Sequence, residues 1–354
     1  NTSFYLLKVL VNVTIFINLK YKIMKIKDVV GIDMSKLTFD ARLHKSQAYQ
    51  EFENTKQGFA KCVKWVYKNS EFEEENILFS FEHTGLYSHQ LALFLTKKEI
   101  PFSMFPGLEI RRSLGIARGK DDKIDATKIA LHAYRLRDEI KTYKMPEKVI
   151  QSLKRLITLR QRLVKQRSGY KASLSEQKRV LVKKEEKKLF EIQERLIKYL
   201  TKQIQIAEKQ MRDLIKSDEE LNKQFLLINS IKGVGNVTAY FMIAYTYGFT
   251  KFATWRKFAS YCGTAPFPNR SGTSIRGKTK VSHLANKKAK TLLDLCAKSA
   301  LQNNPEMKIY YKRKLEAGKK EMETINAIRN KLLARIFAVI KRGTPYVDMT
   351  KYAA

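Results

Sequence analysis

Between Pro146 and Phe225 the chain has no further proline and one glycine, Gly169, and it is dense in Lys, Glu, Gln, Arg and Leu. A stretch this long that lacks helix breakers and is rich in straight-chain residues predicts long helices. Leu153, Leu156, Leu159 and Leu163 recur at three- and four-residue spacing, and Leu189, Ile192, Leu196 and Leu200 form a second stripe. Each stripe is the apolar seam of a helix packed on another helix. A turn near Lys183 to Lys188 would fold the two into an antiparallel coiled-coil hairpin; pairing with another subunit would satisfy the same stripes. Either way, residues 146–225 act as a helical linker between two globular units, and a 354-residue chain with 44% hydrophobic residues can bury more than one core.

The first unit reads as α/β. From Lys27 onward, DVVGIDMSKLTFDARL alternates apolar and polar residues on both sides of a break at Met34 to Lys36, as a β-hairpin does. ILFSFE, Ile77 to Glu82, is a further strand, followed by the turn His83-Thr84-Gly85 and a helix from Tyr87 to Thr96. Pro101 to Phe105 continues the strand pattern, and a helix begins near Asp122 with Ile124, Ile129, Leu131 and Leu136 as apolar members. The unit is expected to span residues 24–145. Ahead of it, the apolar run Val9 to Leu19 is too short to cross a bilayer. Met24 is the expected natural start, with residues 1–23 a non-native extension. After the linker, LLINSIKGVGNVTAYFMIAY reads helix, glycine turn, helix, and opens a mostly α unit over 226–347.

Charge narrows the function. Lys and Arg number 69 against 34 Asp and Glu, a formal net charge of +35. An excess this large and this dispersed points to a polyanion, and to nucleic acid ahead of a ribosomal role, an anionic membrane or simple solubility. Cys62, Cys262 and Cys296 are far apart and form no zinc-finger spacing with the five histidines. They read as reduced core residues, and the expected location is cytoplasmic and nucleoid-associated, with no membrane association.

Three constellations could carry chemistry. Asp33 sits within an apolar strand, Glu82 ends another, and Asp122 and Asp125 are three residues apart on one helical face. Converging, they would hold Mg²⁺ ions that activate phosphodiester attack; taken singly, each could equally be a cap, a turn residue or a surface ion pair. In IKGVGNVTA, Gly233 and Gly235 form a turn that could offer backbone N–H groups to a phosphate or could merely close two helices. Residues 251–290 hold ten Lys or Arg and no Asp or Glu. Within them APFPNRSGTSIRGKTK reads as a loop that carries Ser271 among Arg270, Arg276, Lys278 and Lys280. Cations beside a serine favour attack on phosphorus, but a plain phosphate-binding turn has the same composition. Tyr310 and Tyr311, beside Lys312, Arg313 and Lys314, read as core or rim residues ahead of base-stacking ones.

GIDMSK, FEHTG and KDDKIDA resemble the acidic motifs of bacterial insertion-sequence transposases whose N-terminal domain is similar to Holliday-junction resolvases of the ribonuclease H fold. That family includes pilin-gene invertases and bridge-RNA-guided recombinases. The resemblance implies a metal-binding tetrad of Asp33, Glu82, Asp122 and Asp125, with Asp121 a geometric alternative to Asp122. FATWRKFASYCGTAPFPNRSG resembles the family's C-terminal motif, which implies Ser271 as nucleophile, with Ser274 the alternative because Arg-Ser-Gly-Thr-Ser departs from the usual pattern. Further implications are a phosphoserine intermediate, donor and target DNA, a noncoding bridge RNA, a composite active site and a homo-oligomer, dimer or tetramer. Two rivals stay open: a metal-dependent nuclease without serine chemistry, and a nonenzymatic nucleic-acid-binding protein.

Overall fold

The computed structural model describes residues 25–113, 122–182, 184–272 and 275–348, without the side chains of Asp122, Ser271, Ile275 and Arg276. The expected extension over 1–23 and the alternatives Asp121 and Ser274 lie outside the described residues. The chain divides into two compact units, Asn1–Met145 and Pro146–Ala354.

The first unit is a five-stranded mixed sheet. β1 (Asp28–Met34) and β2 (Thr38–Leu43) form the expected antiparallel hairpin, and β3 (Tyr49–Glu53) extends it as an edge. β4 (Ile77–Glu82) pairs parallel to β1, and β5 (Phe102–Phe105) pairs parallel to β4. The period of two explains the layers. Val30, Ile32, Phe39, Ala41, Phe79 and Phe81 point to one face, where α1 (Lys56–Asn69) and α2 (Leu86–Lys97) cover them with Phe59, Val66, Leu91 and Leu95. Each such aromatic, fully buried, contributes about 1.5–3 kcal/mol of transfer free energy. The opposite face carries Val29 and Gly31, the small Ser80 and Ser103, and α4 (Asp122–Arg135), which packs on it after the short α3 (Gly107–Ser113). β3 escapes a reading of hydrophobic alternation because YQEFE buries only Phe52.

The second unit begins with two long antiparallel helices, α5 (Lys148–Val180) and α6 (Lys187–Lys216). They form a hairpin within one chain, tied by Arg160 to Glu208 at 2.6 Å and Lys178 to Glu194 at 2.5 Å. The seam of α5 includes Leu153 as expected but leaves Leu159 exposed, and on α6 the stripes share Leu200 while the rest of the phase differs. Phe190, Gln193, Leu200, Ile204, Ala207 and Met211 are buried, while Leu189 and Ile192 face solvent. Both phases fit a three-and-four spacing, and the longer one, which runs to Ile215, meets the partner helix. Ile150, Leu153, Ile157, Met211 and Ile215 belong to the same core as the helices that follow, so the base of the long helix pair is packed into the C-terminal unit.

Those helices are α7 (Glu219–Asn229), α8 (Asn236–Thr246), α9 (Trp255–Cys262), α10 (Lys287–Asn303), α11 (Pro305–Glu316) and α12 (Glu321–Arg342). Between α9 and α10 the chain makes a two-stranded antiparallel hairpin, β6 (Pro266–Ser271) and β7 (Ile275–Val281), where the sequence reads as an irregular loop. Two prolines are compatible with it because the hairpin has no third strand and its register slips between Phe267 and Asn269, around Pro268. Among the described residues no helix is long and apolar enough to cross a membrane, and Cys62, Cys262 and Cys296 are buried free thiols.

Candidate functional site

The four candidate acids come from three elements of the first unit. Asp33 is near the carboxyl end of β1 and Glu82 closes β4; the parallel register pairs Ile32 with Phe81 and so sets Asp33 beside Glu82. Because Ile32 and Phe81 enter the core under α1 and α2, the next residue on each strand points to the α4 side. Gly31 brings that helix in. A Cβ on Gly31 would run into the backbone of Ala126 and Ala130, so only glycine lets α4 lie this close to β1. Ala126 lies over Gly31, whereas Ala133 packs with Val29 and Ile26. Hence α4 runs antiparallel to β1, and its first turns, with Asp122 and Asp125, lie toward the end of the sheet that carries Asp33 and Glu82.

Asp125 pairs with Lys128 at 2.8 Å. Among the described residues no three His, Cys, Asp or Glu side chains are drawn together as a closed metal cluster; the Asp122 carboxyl is outside that set. The donors are carboxylate oxygens, the ligand type of hard divalent cations, and the close approach at Gly31 directs their elements to one end of the sheet. In donor chemistry the residues therefore fit a divalent metal.

The sequence reading missed Asp40, which the antiparallel register sets directly opposite Asp33 and which is buried, accepting a hydrogen bond from the Tyr49 hydroxyl. Its signal was there: in TFDARL the alternation puts Asp40 on the face away from Phe39 and Ala41. Gly107 was missed too. A Cβ there would occupy the space of the Glu82 carboxylate, so the start of α3 is shaped around that side chain. The far end of α3 is tied to α4 by Ser113 Oγ, 2.6 Å from His132 Nδ1. His132 is buried, which lowers its pKa, against a weaker opposing pull from Glu109.

In the second unit Ser271 is the last residue of β6, followed by Gly272 at φ 54°. Its side chain and that of Arg276 lie outside the described residues. Arg270, Lys278 and Lys280 are exposed, and none forms an ion pair among the described residues. A groove of about 490 Å³ runs along the hairpin, lined by Phe267, Asn269, Lys278, Lys280 and Ser282. The strand that enters the hairpin is anchored: Asn326 and Asn330 of α12 each donate to the carbonyl of buried Thr264 at 2.9 Å, and Thr264 Oγ1 donates to Asn330 Oδ1.

Gly233 and Gly235 have different roles. Gly233, at φ 97°, is pressed on α10, since a Cβ would come within 2.7 Å of Ala300. Gly235 has open space where a side chain would go, and its N–H is directed to the sulfur of buried Cys296, which Thr238 also contacts at 3.2 Å. The turn is thus built into the core on one side. Tyr310 and Tyr311 pack on that same core, with Lys331 4.4 Å from the Tyr310 ring centre.

Two family models match the chain, one described as "Transposase" over residues 30–179 and one as "Transposase IS116/IS110/IS902 family" over residues 226–312. The first is that of a DEDD domain, which implies a divalent metal. The chain is 26% identical over 328 residues to the pilin gene-inverting proteins of Moraxella lacunata and of Moraxella bovis, covering 90% of this chain and 98% of each relative. It is also 30% identical over 120 residues to an uncharacterized 43.6 kDa protein of insertion element IS110 from Streptomyces coelicolor, covering 34% of this chain and 29% of that protein. With an acid-bearing α/β unit of ribonuclease H type, a helix hairpin and a mostly helical basic unit matched in this order, the chain belongs to the IS110 family of transposases.

Proposed function

We propose that this transposase is a site-specific recombinase that cuts and exchanges DNA strands through a covalent phosphoserine link and is directed by a structured noncoding RNA. Asp33, Glu82, Asp122 and Asp125 are the proposed ligands of Mg²⁺, and the observation that carries this is the glycine contact that turns the start of α4 toward Asp33 and Glu82. Bound there, the metal supplies a Lewis acid for the phosphodiester. Ser271 Oγ forms a new P–O bond as the bond from phosphorus to a deoxyribose oxygen breaks, its proton passing to a general base. Attack by a hydroxyl of the other strand then breaks the serine link and restores a phosphodiester, so no ATP is consumed. Arg270, Arg276, Lys278 and Lys280 neutralise the charge that grows on phosphorus, and Gly233 and Gly235 contribute to holding the backbone.

Similarity to proteins named for inverting a gene, over nearly their whole length, supports recombination over simple hydrolysis. Each serine holds one strand at a time, so exchange on both strands calls for a homo-oligomer, dimer or tetramer. The test incubates protein, flanking noncoding RNA and labelled donor and target DNA with Mg²⁺ and looks for protein attached to DNA. An adduct lost in both Ser271→Ala and Asp122→Ala is expected. Cleavage without an adduct, undiminished in Ser271→Ala, would leave a metal-dependent nuclease; binding without any strand chemistry would leave a nonenzymatic protein.

A further inference from the structure

After α8 the backbone takes three consecutive left-handed residues, Tyr247 (φ 55°), Gly248 (φ 60°) and Phe249 (φ 64°). Glycine enters this region freely; tyrosine and phenylalanine do so at a cost. The turn is held by Gly248 N–H donating to Ile243 O at 2.9 Å, Phe249 N–H donating to Thr246 Oγ1 at 3.0 Å, and the Phe249 ring edge-on to Phe337 at 5.1 Å. Strain that is held in place in this way concentrates at ligand clamps and switches.

The turn sets the Tyr247 ring against two cations. Lys154, from α5, has its ammonium 3.9 Å from the ring centre, and Lys251 is 4.8 Å from the same centre. Tyr245 and Phe252 flank them, 5.4 Å from Lys154 and 5.6 Å from Lys251. Neither lysine has a carboxylate partner among the described residues. Loss of solvation against the rings pushes both pKa values down, that of half-buried Lys154 to about 8 with the positive Lys251 as the second cause, while Lys251 stays open to solvent. The ring face attracts each cation, but two like charges on one ring still repel, an arrangement that favours an incoming anion.

We propose that Lys154, Lys251 and Tyr247 form a phosphodiester-binding site of the C-terminal unit, in which one nucleic-acid phosphate sits between the two ammonium groups. Lysine suits this role, since a compact ammonium neutralises a phosphate without needing the fixed fork of a guanidinium. None of its three residues belongs to the Ser271 hairpin or to the Gly233 turn, and Lys251 opens the acid-free stretch of residues 251–290. It rests on the reading of the chain as a protein that grips nucleic acid.

The test is the double variant Lys154→Met/Lys251→Met, which keeps unbranched stems on the ring and removes both charges. Tm, with and without inorganic phosphate, and affinity for duplex DNA and for hairpin RNA are measured across a salt series. The expected variant melts at or above the wild-type temperature, because a repulsion is gone, yet binds about tenfold more weakly with a salt slope smaller by roughly one. Phosphate raises the Tm of the wild type and leaves that of the variant unmoved. Loss for DNA alone or RNA alone names the strand that supplies the phosphate. Unchanged affinity and slope, or weaker binding accompanied by a lower Tm, would overturn the site, the latter by making the lysines structural. Wild-type protein that binds neither nucleic acid would sink the reading it rests on, and the phosphate-dependent Tm would still decide the site.

Discussion

The placement of the acids depends on two glycines that carry no chemistry. Gly31 admits the backbone of α4 to β1, and Gly107 leaves room for the Glu82 carboxylate. They make separable demands. A methyl on Gly31 meets main chain on a packed helix, so Gly31→Ala is expected to destabilise the first unit by about 1–3 kcal/mol. At Gly107 the methyl meets the end of a flexible side chain, which can swing aside. Gly107→Ala is therefore expected to leave the Tm within a few degrees of wild type while raising the metal concentration for half-maximal DNA cleavage severalfold. An unchanged metal dependence would show that the Glu82 position is not set by α3.

Among elements, the β6–β7 hairpin is the piece whose position has to be fixed from outside. Its strands pair only with each other, and a two-stranded hairpin is marginal alone in water. Thr264 supplies the missing anchor: its carbonyl and hydroxyl are taken up by Asn326 and Asn330 of α12 in a buried setting. Asn330→Ala would take away the nearer acceptor of the Thr264 hydroxyl, which keeps only the Ala259 carbonyl at 3.3 Å, and one of the two donors to the Thr264 carbonyl, a loss of about 0.5–1.5 kcal/mol. The expected result is a lower Tm with a larger proportional fall in strand cleavage than in DNA affinity, because β6 ends in Ser271, the proposed nucleophile; equal falls in both would mean that the hairpin binds DNA without positioning the serine. The helix hairpin shows the opposite economy. α5 and α6 pack on each other as a hairpin, and their base is set in the C-terminal core.

For the whole molecule, a net charge of +35 makes affinity a function of salt before it is a function of sequence. Binding to duplex DNA is expected to fall by roughly 10³-fold or more between 50 and 200 mM salt, as counterions released by several phosphate contacts predict. A shallow dependence, measured by titration at several salt concentrations, would mean that most of the positive charge faces away from the nucleic acid. The sequence by itself determined the features that follow from local periodicity and composition. The period of two revealed the β1–β2 hairpin, the near absence of Gly and Pro predicted α5 and α6, and the imbalance of Lys and Arg over acids named the kind of partner. It also supplied the motifs carrying Asp33, Glu82, Asp122, Asp125 and Ser271. Tertiary structure alone decided which of two equally spaced stripes on α6 is buried, since a helix has no preferred face until a partner covers one. It alone showed that APFPNRSGTSIRGKTK is paired as strands, because cross-strand hydrogen bonds leave no period in a sequence broken by Pro and Gly. And it alone brought Asp40 opposite Asp33, Gly107 under Glu82 and Lys154 beside Lys251, because each of these contacts depends on register or helix approach between segments with nothing in the sequence to link them.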